Sequence, residues 1–191
     1  MSFDSMDMVA TTFYTNKDYK RAELLFERQI AEYSKQPELQ EKILQTKIKL
    51  AKTLFALRDW QKALGFYEEI VKQFPNDTTI KPELIQCLKE TKQYDRALEW
   101  CSAWVKENPE NKSWCWQSRL DIAKIMFEQE RYENVMSLIN GFKAEDPTFG
   151  GERFKTSFQE LDEQCSENLV HPDKVSQKLG SQEMSNLQDK K

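Results

Sequence analysis

The side chains best equipped for covalent chemistry are scarce in this sequence. His171 is the one histidine among 191 residues, so histidine-based acid–base relays and histidine-rich metal sets lack their main ingredient. The four cysteines, Cys87, Cys101, Cys115 and Cys165, form no CxxC and no paired spacing. Most fall within helical patterns, which reads as reduced structural thiols. Serine and cysteine nucleophiles have no histidine before residue 171 to activate them. Neither GxxxxGK[ST] nor GxGxxG occurs to cradle a phosphate. The carboxylates are scattered over helical faces, where charge serves solvation. The expectation is no enzyme, no cofactor and no metal site, which leaves non-covalent recognition.

The elements that would position recognition groups are helical. Hydrophobic residues make up 39% and charged residues 31%, with only 5 Gly and 6 Pro, too few for an all-β chain full of tight turns. No apolar run is long enough for a membrane span. The formal net charge is −4 with signs mixed along the chain: +3 over 41–120 and −5 over 121–191. Neither block has the footprint of a nucleic-acid binder. The first seven residues are acidic, with no basic region and no apolar stretch of a secretory signal. A cytoplasmic location is expected.

Four segments read alike: Lys17–Ala22, Arg58–Ala63, Lys92–Ala97 and Glu130–Val135. Each sets an aromatic (Tyr19, Trp60, Tyr94, Tyr132) three residues before a small residue (Ala22, Ala63, Ala97, Val135), and the small residues stand 41, 34 and 38 apart. Pro75, Pro109 and Pro147 close the last three units at intervals of 34 and 38, so two markers agree. Each unit holds two apolar stripes at helical spacing, such as Leu50, Leu54, Leu57 and then Ala63, Tyr67, Ile70, Val71, Phe74. One such helix pair cannot bury both faces alone, whereas stacked pairs can. The wider intervals predict lengthened helices over 38–57 and 112–128. Beyond Thr148-Phe149-Gly150-Gly151, a loop, Phe154, Phe158, Leu161 and Cys165 form the stripe of a capping helix.

This pattern resembles the tetratricopeptide repeat family. The matching residues are Val9, Ala10, Phe13, Tyr19, Ala22 and Phe26 in the first unit, and Leu50, Ala51, Leu54, Trp60, Ala63, Tyr67 and Pro75 in the second. The third contributes Leu84, Leu88, Tyr94, Ala97 and Pro109, and the fourth Ile122, Ala123, Met126, Tyr132 and Pro147. No unit has the family's Trp or Gly in its first helix. The resemblance implies an all-α, right-handed solenoid of four helix hairpins, approximately 4–37, 38–77, 78–111 and 112–147. A capping helix over 148–170 and a polar tail over 171–191 follow.

In that family the first helix of each pair lines the inner face. The partner-binding groove is then expected at Tyr14, Lys49, Lys52, Phe55, Gln86, Lys89, Lys124 and Phe127, with Asp7, Thr11, Glu83 and Asp121 beside them. Aromatics mixed with Lys suit a segment with apolar anchors and some acidic residues. Trp100 and Trp114 form a possible second hot spot. The other reading of the tryptophans at 100, 104, 114 and 116 is a local aromatic core.

Co-chaperones of the family grip a terminal carboxylate with Lys and Asn, then Asn, then Lys and Arg. The corresponding positions here hold Asp7 and Thr11, Lys49, then Thr79 and Glu83. One unit later they hold Ile48, Lys52, Glu83, Gln117 and Asp121. Neither set makes the clamp, because Asp and Glu repel a carboxylate. His171-Pro172-Asp173 resembles the signature loop of J-domains, which stimulate Hsp70, but the helix before it is acidic (Glu160, Asp162, Glu163, Glu167) and only 17 residues follow Lys174.

The function expected is a non-catalytic scaffold or adaptor subunit holding a protein or peptide partner. The alternatives are a chaperone-like factor cradling unfolded or secreted clients, an Hsp70-linked co-chaperone acting through the tripeptide, and a unit that self-associates through a solenoid end.

Overall fold

The computed structural model describes residues 1–74 and 79–170. Pro75, the tripeptide at 171–173 and the tail over 171–191 lie outside the described residues. Among those described, all regular structure is helical and no strand occurs. The helices are α1 (Phe3–Thr15), α2 (Tyr19–Tyr33), α3 (Gln40–Ala56), α4 (Trp60–Gln73), α5 (Lys81–Glu90), α6 (Tyr94–Glu107), α7 (Lys112–Glu128), α8 (Tyr132–Glu145) and α9 (Glu152–Val170). A short 3-10 turn, Pro37–Leu39, precedes α3.

Local chemistry sets the helix ends. Side-chain oxygens of Ser2, Asp18, Asp59 and Asn111 accept from the backbone N–H three residues on, opening α1, α2, α4 and α7. Each satisfies a donor that the helix leaves without a partner. The first helix of each pair stops in the same way. Lys17, Arg58, Lys92 and Glu130 adopt φ of 61°, 60°, 57° and 59°. Their N–H groups and those of the next residues fold back onto the last helical turn: Lys17 N to Tyr14 O and Asp18 N to Phe13 O, then Arg58 N to Phe55 O and Asp59 N to Leu54 O. This left-handed cap usually employs glycine, yet four charged side chains hold it here.

The helix predicted over 112–128 is α7. The one predicted over 38–57 is shorter. Pro37 opens the 3-10 turn, Leu39 sits at φ −105° and ψ 3°, outside helical geometry, and α3 begins only at Gln40. The longer first interval is thus divided between a turn and a helix.

The chain divides into two compact units, Met1–Arg96 and the part from Ala97 onward. In the first, α1 packs on α2, α2 on α3, α3 on α4 and α4 on α5, the sequential stacking of an α-solenoid. Met6, Ala10, Ala22, Phe26, Leu50, Leu54, Ala63, Tyr67, Ile70, Leu84 and Leu88 are sealed from solvent. Each large apolar side chain buried in this way contributes roughly 1.5–3 kcal/mol. Ala22 and Ala63 are wholly buried, as their place at the close approach of paired helices requires, and so is Ala97.

In the second unit α7, α8 and α9 enclose Trp116. Its indole meets Phe142, Phe149 and Phe158 edge-on, with centroids 6.0, 5.9 and 6.1 Å away. The 148–151 loop reaches this ring with Gly150, at φ +74°. A Cβ there would come within 2.0 Å of Trp116 Cδ1. Phe154, Phe158, Leu161 and Cys165 of α9 are buried against the cluster, as the capping stripe predicts.

Candidate partner-binding face

In the first unit the side chains at 7, 11 and 14 of α1, 49, 52 and 55 of α3, and 83, 86 and 89 of α5 each recur at spacings of three or four, one face per helix. The structure joins two of these faces by charge. Lys49 Nζ donates to Oδ1 and Oδ2 of Asp7 at 2.8 and 2.7 Å and approaches Thr11 Oγ1 at 3.4 Å. Lys52 is half-buried and makes no ion pair among the described residues. Gln86 donates to Glu90 at 2.6 Å. Lys89 is half-buried on the same face of α5.

The aromatics follow a rule of their own. Tyr14 meets Tyr19 edge-on at 5.5 Å, Phe55 meets Trp60 at 5.1 Å, and Phe127 meets Tyr132 at 5.2 Å. In each case the last turn of the first helix rests on the aromatic that opens the second, five residues later. Phe55 also contacts Tyr67 at 6.5 Å. Tyr14, Phe55 and Phe127 remain half-buried, each ring supported by its neighbour and partly exposed to solvent. In the second unit Lys124 is exposed, and Gln117 donates to Asp121 at 3.2 Å.

Of the tryptophans, Trp104 is buried and stacks on Trp114 with centroids 5.2 Å apart and planes 14° off parallel. Trp114 and Trp100 are half-buried. In the same unit an open cavity of about 510 Å³ is lined by Val105, Lys112, Cys115, Trp116, Arg119 and Glu145, among others. Arg119 lies 4.6 Å over the Trp116 ring and pairs with Glu145 at 2.9 Å, so its charge is already engaged.

Two polar groups escaped the sequence reading as a pair. The Tyr67 hydroxyl and Glu83 Oε2 are buried without a hydrogen-bond partner. Burial first, then the Glu83 charge, pushes the Tyr67 hydroxyl's pKa up, and burial, Tyr19 and Glu83 do the same to Tyr14. A hydroxyl in the otherwise apolar stripe of α4 was the available signal, since a buried tyrosine normally finds a partner.

The thiols of Cys87 and Cys165 are not primed for nucleophilic work. Burial raises the Cys87 thiol to about 12 and Cys165 to about 11, helped by Glu83 and Glu90 near the first and Asp162 near the second. Reactive thiols are shifted the other way. Among the described residues no three His, Cys, Asp or Glu side chains converge as metal ligands, and no helix is long and apolar enough to cross a membrane.

The family model described as tetratricopeptide repeat matches residues 54–114. Those residues carry the tetratricopeptide repeat. The likeness in fold extends well beyond that stretch. A tetratricopeptide repeat protein from Parabacteroides merdae aligns over 94% of this chain and 66% of its own, with TM-score 0.64 and 14% identity. The TPR-like repeats of a putative kinesin light chain from Podosopora anserina align over 94% and 91%, with TM-score 0.61 and 16% identity. MamA from Desulfovibrio magneticus aligns over 92% and 96%, with TM-score 0.57 and 14% identity. At such identities the likeness is one of fold. No curated protein matches the chain. The tetratricopeptide fold supports a protein–protein interaction module, and its repeats govern how the chain stacks rather than what it holds.

Proposed function

We propose that this chain is a non-catalytic adaptor that holds a segment of a partner polypeptide along the first helices of its repeats, as a subunit of a larger complex. The observation that carries the reading is the face shared by Tyr14, Lys52 and Phe55. Two half-buried aromatic rings, each backed by a second ring, share the first-helix faces with a lysine that has no ion pair among the described residues. Aromatic rings held rigid by a second aromatic lose little entropy on binding and serve well as anchors.

A terminal-carboxylate clamp is not part of the proposal. Lys49 is engaged by Asp7, and the third position offers Glu83. Cysteines held as thiols, Cys87, Cys101 and Cys165 of them buried, are in keeping with work in the reducing cytoplasm.

The test is capture of one partner by the full-length chain, followed by mapping of the retained segment. Phe55→Ala and Lys52→Glu should each weaken that complex about tenfold or more, the effect of losing an interface anchor. Unchanged capture by the double variant contradicts the groove. Suppressed aggregation of several unrelated clients, insensitive to both changes, marks a chaperone-like factor instead.

A further inference from the structure

The buried, unpartnered oxygens of Tyr67 and Glu83 lie on the face just described. Tyr67 is wholly buried on α4, its ring packed against Phe55, 6.5 Å away. Its hydroxyl makes no hydrogen bond, nor does Oε2 of Glu83, which is screened from solvent although the residue as a whole is half-buried. The Glu83 charge acts on both Tyr67 and Tyr14, and Tyr14 acts on Tyr67, so the three lie within electrostatic reach of one another. A buried carboxylate oxygen left without a donor is costly, and the local demand is for positive charge and N–H groups. The ammonium of Lys49 is committed to Asp7 at 2.7 Å, and among the described residues neither it nor Lys52 pairs with Glu83. Aromatic faces at Tyr14 and Phe55 add the surface on which a cation rests.

We propose that Glu83 and the Tyr67 hydroxyl receive a lysine or arginine side chain of the partner segment, laid between Tyr14 and Phe55. The partner is thus basic where it meets Glu83, while the acidic character that the residue pattern suggested falls where it meets Lys52. Glu83 accepts the cation's N–H, the Tyr67 hydroxyl accepts a second, and the rings flank the alkyl stem. This inference rests on the reading of the first-helix face as the binding face.

A random dodecapeptide library displayed on phage, selected on the full-length chain and counter-screened on Phe55→Ala, separates the two ideas. Peptides that lose binding on Phe55→Ala are groove ligands, and they should share an Arg or Lys. Replacing that residue by Gln in the peptide, or Glu83→Gln in the protein, should each weaken binding about tenfold, and the two together little more. Tyr67→Phe should cost about threefold against the basic peptide and nothing against its Gln form.

Groove ligands without a basic residue, or an affinity indifferent to Glu83→Gln, overturn the inference and leave the adaptor standing; that is the result a water bridging the two oxygens gives. A selection with no peptide sensitive to Phe55→Ala overturns both. Should Glu83→Gln fail to fold, Tyr67→Phe decides: an equal loss for the basic and Gln peptides contradicts the proposal.

Discussion

Lys49 on α3 closes onto Asp7 on α1, its ammonium 2.7 and 2.8 Å from the two carboxylate oxygens. Both side chains are about a third exposed, so solvent screens the pair. A double-mutant cycle with Asp7→Ala and Lys49→Ala should return a coupling of about 0.5–1 kcal/mol that shrinks as salt is added. A coupling near zero at low salt would show that the pair does not tie the two helices together.

Gly150 should tolerate no side chain. Its φ of +74° strains an L-residue, and a Cβ would strike the indole of Trp116, which has the 142, 149 and 158 rings around it. Gly150→Ala is expected to lower unfolding free energy by about 2–3 kcal/mol. The accompanying signature is a shift in tryptophan emission, read by denaturant titration. An alanine variant as stable as the parent contradicts this packing.

The hairpin turns offer stabilising changes. Arg58 sits at φ 60° without glycine's freedom. Arg131 stands at the N-cap of α8 and makes no side-chain cap, where Asp18 and Asp59 cap the second helices of the first two pairs. Arg58→Gly should gain roughly 0.5–1 kcal/mol, and Arg131→Asp about 1 kcal/mol by supplying an acceptor and removing a cation from the helix N-terminus. Thermal unfolding measures both, and a loss in either would show the cap geometry to be different.

These turns also mark how far the sequence was legible. The intervals of 41, 34 and 38 read from Ala22, Ala63, Ala97 and Val135 return in the positive-φ residues Lys17, Arg58, Lys92 and Glu130. Helical periodicity is a local property, so α7 could be read to the residue. The left-handed caps could not, because no glycine announces them. Asp7 and Lys49 were legible as residues of one face but not as partners, since pairing across 42 positions depends on how two helices are set against each other. Gly150 read simply as loop, and only the folded chain brings Trp116 against it. Tyr67 and Glu83 were hidden for the same reason.

Acid should loosen the turn that follows α8. Asp146 Oδ1 accepts from the Thr148 hydroxyl at 2.7 Å and its N–H at 2.9 Å, and Oδ2 accepts from Gly150 N–H at 3.0 Å. These bonds, the Thr148 hydroxyl first, hold the Asp146 carboxyl below its ordinary 3.8. A lowered folded pKa gives stability that is complete above the ordinary value and lost as pH falls through the folded one. Stability should therefore decline below about pH 4, and Asp146→Asn should flatten the slope there. A steeper acid slope in the variant contradicts the assignment.

Thiol labelling of the native chain should be selective. Cys115 is half-buried and lines the open cavity. Cys87, Cys101 and Cys165 are buried, with Cys87 and Cys165 raised to about 12 and 11. At pH 8 Cys115 should react first, and the others only at the rate of unfolding. Fast labelling of Cys87 would mean that α5 opens readily.

An adaptor of this kind touches its partner with the first helices and not the second. A photo-crosslinking residue replacing Lys52 on α3, set against the same residue replacing the exposed Glu27 on α2, tests this directly in the full-length complex. Adducts from position 52 and none from position 27 are predicted. Adducts from position 27 with position 52 silent would move the binding surface to the second helices.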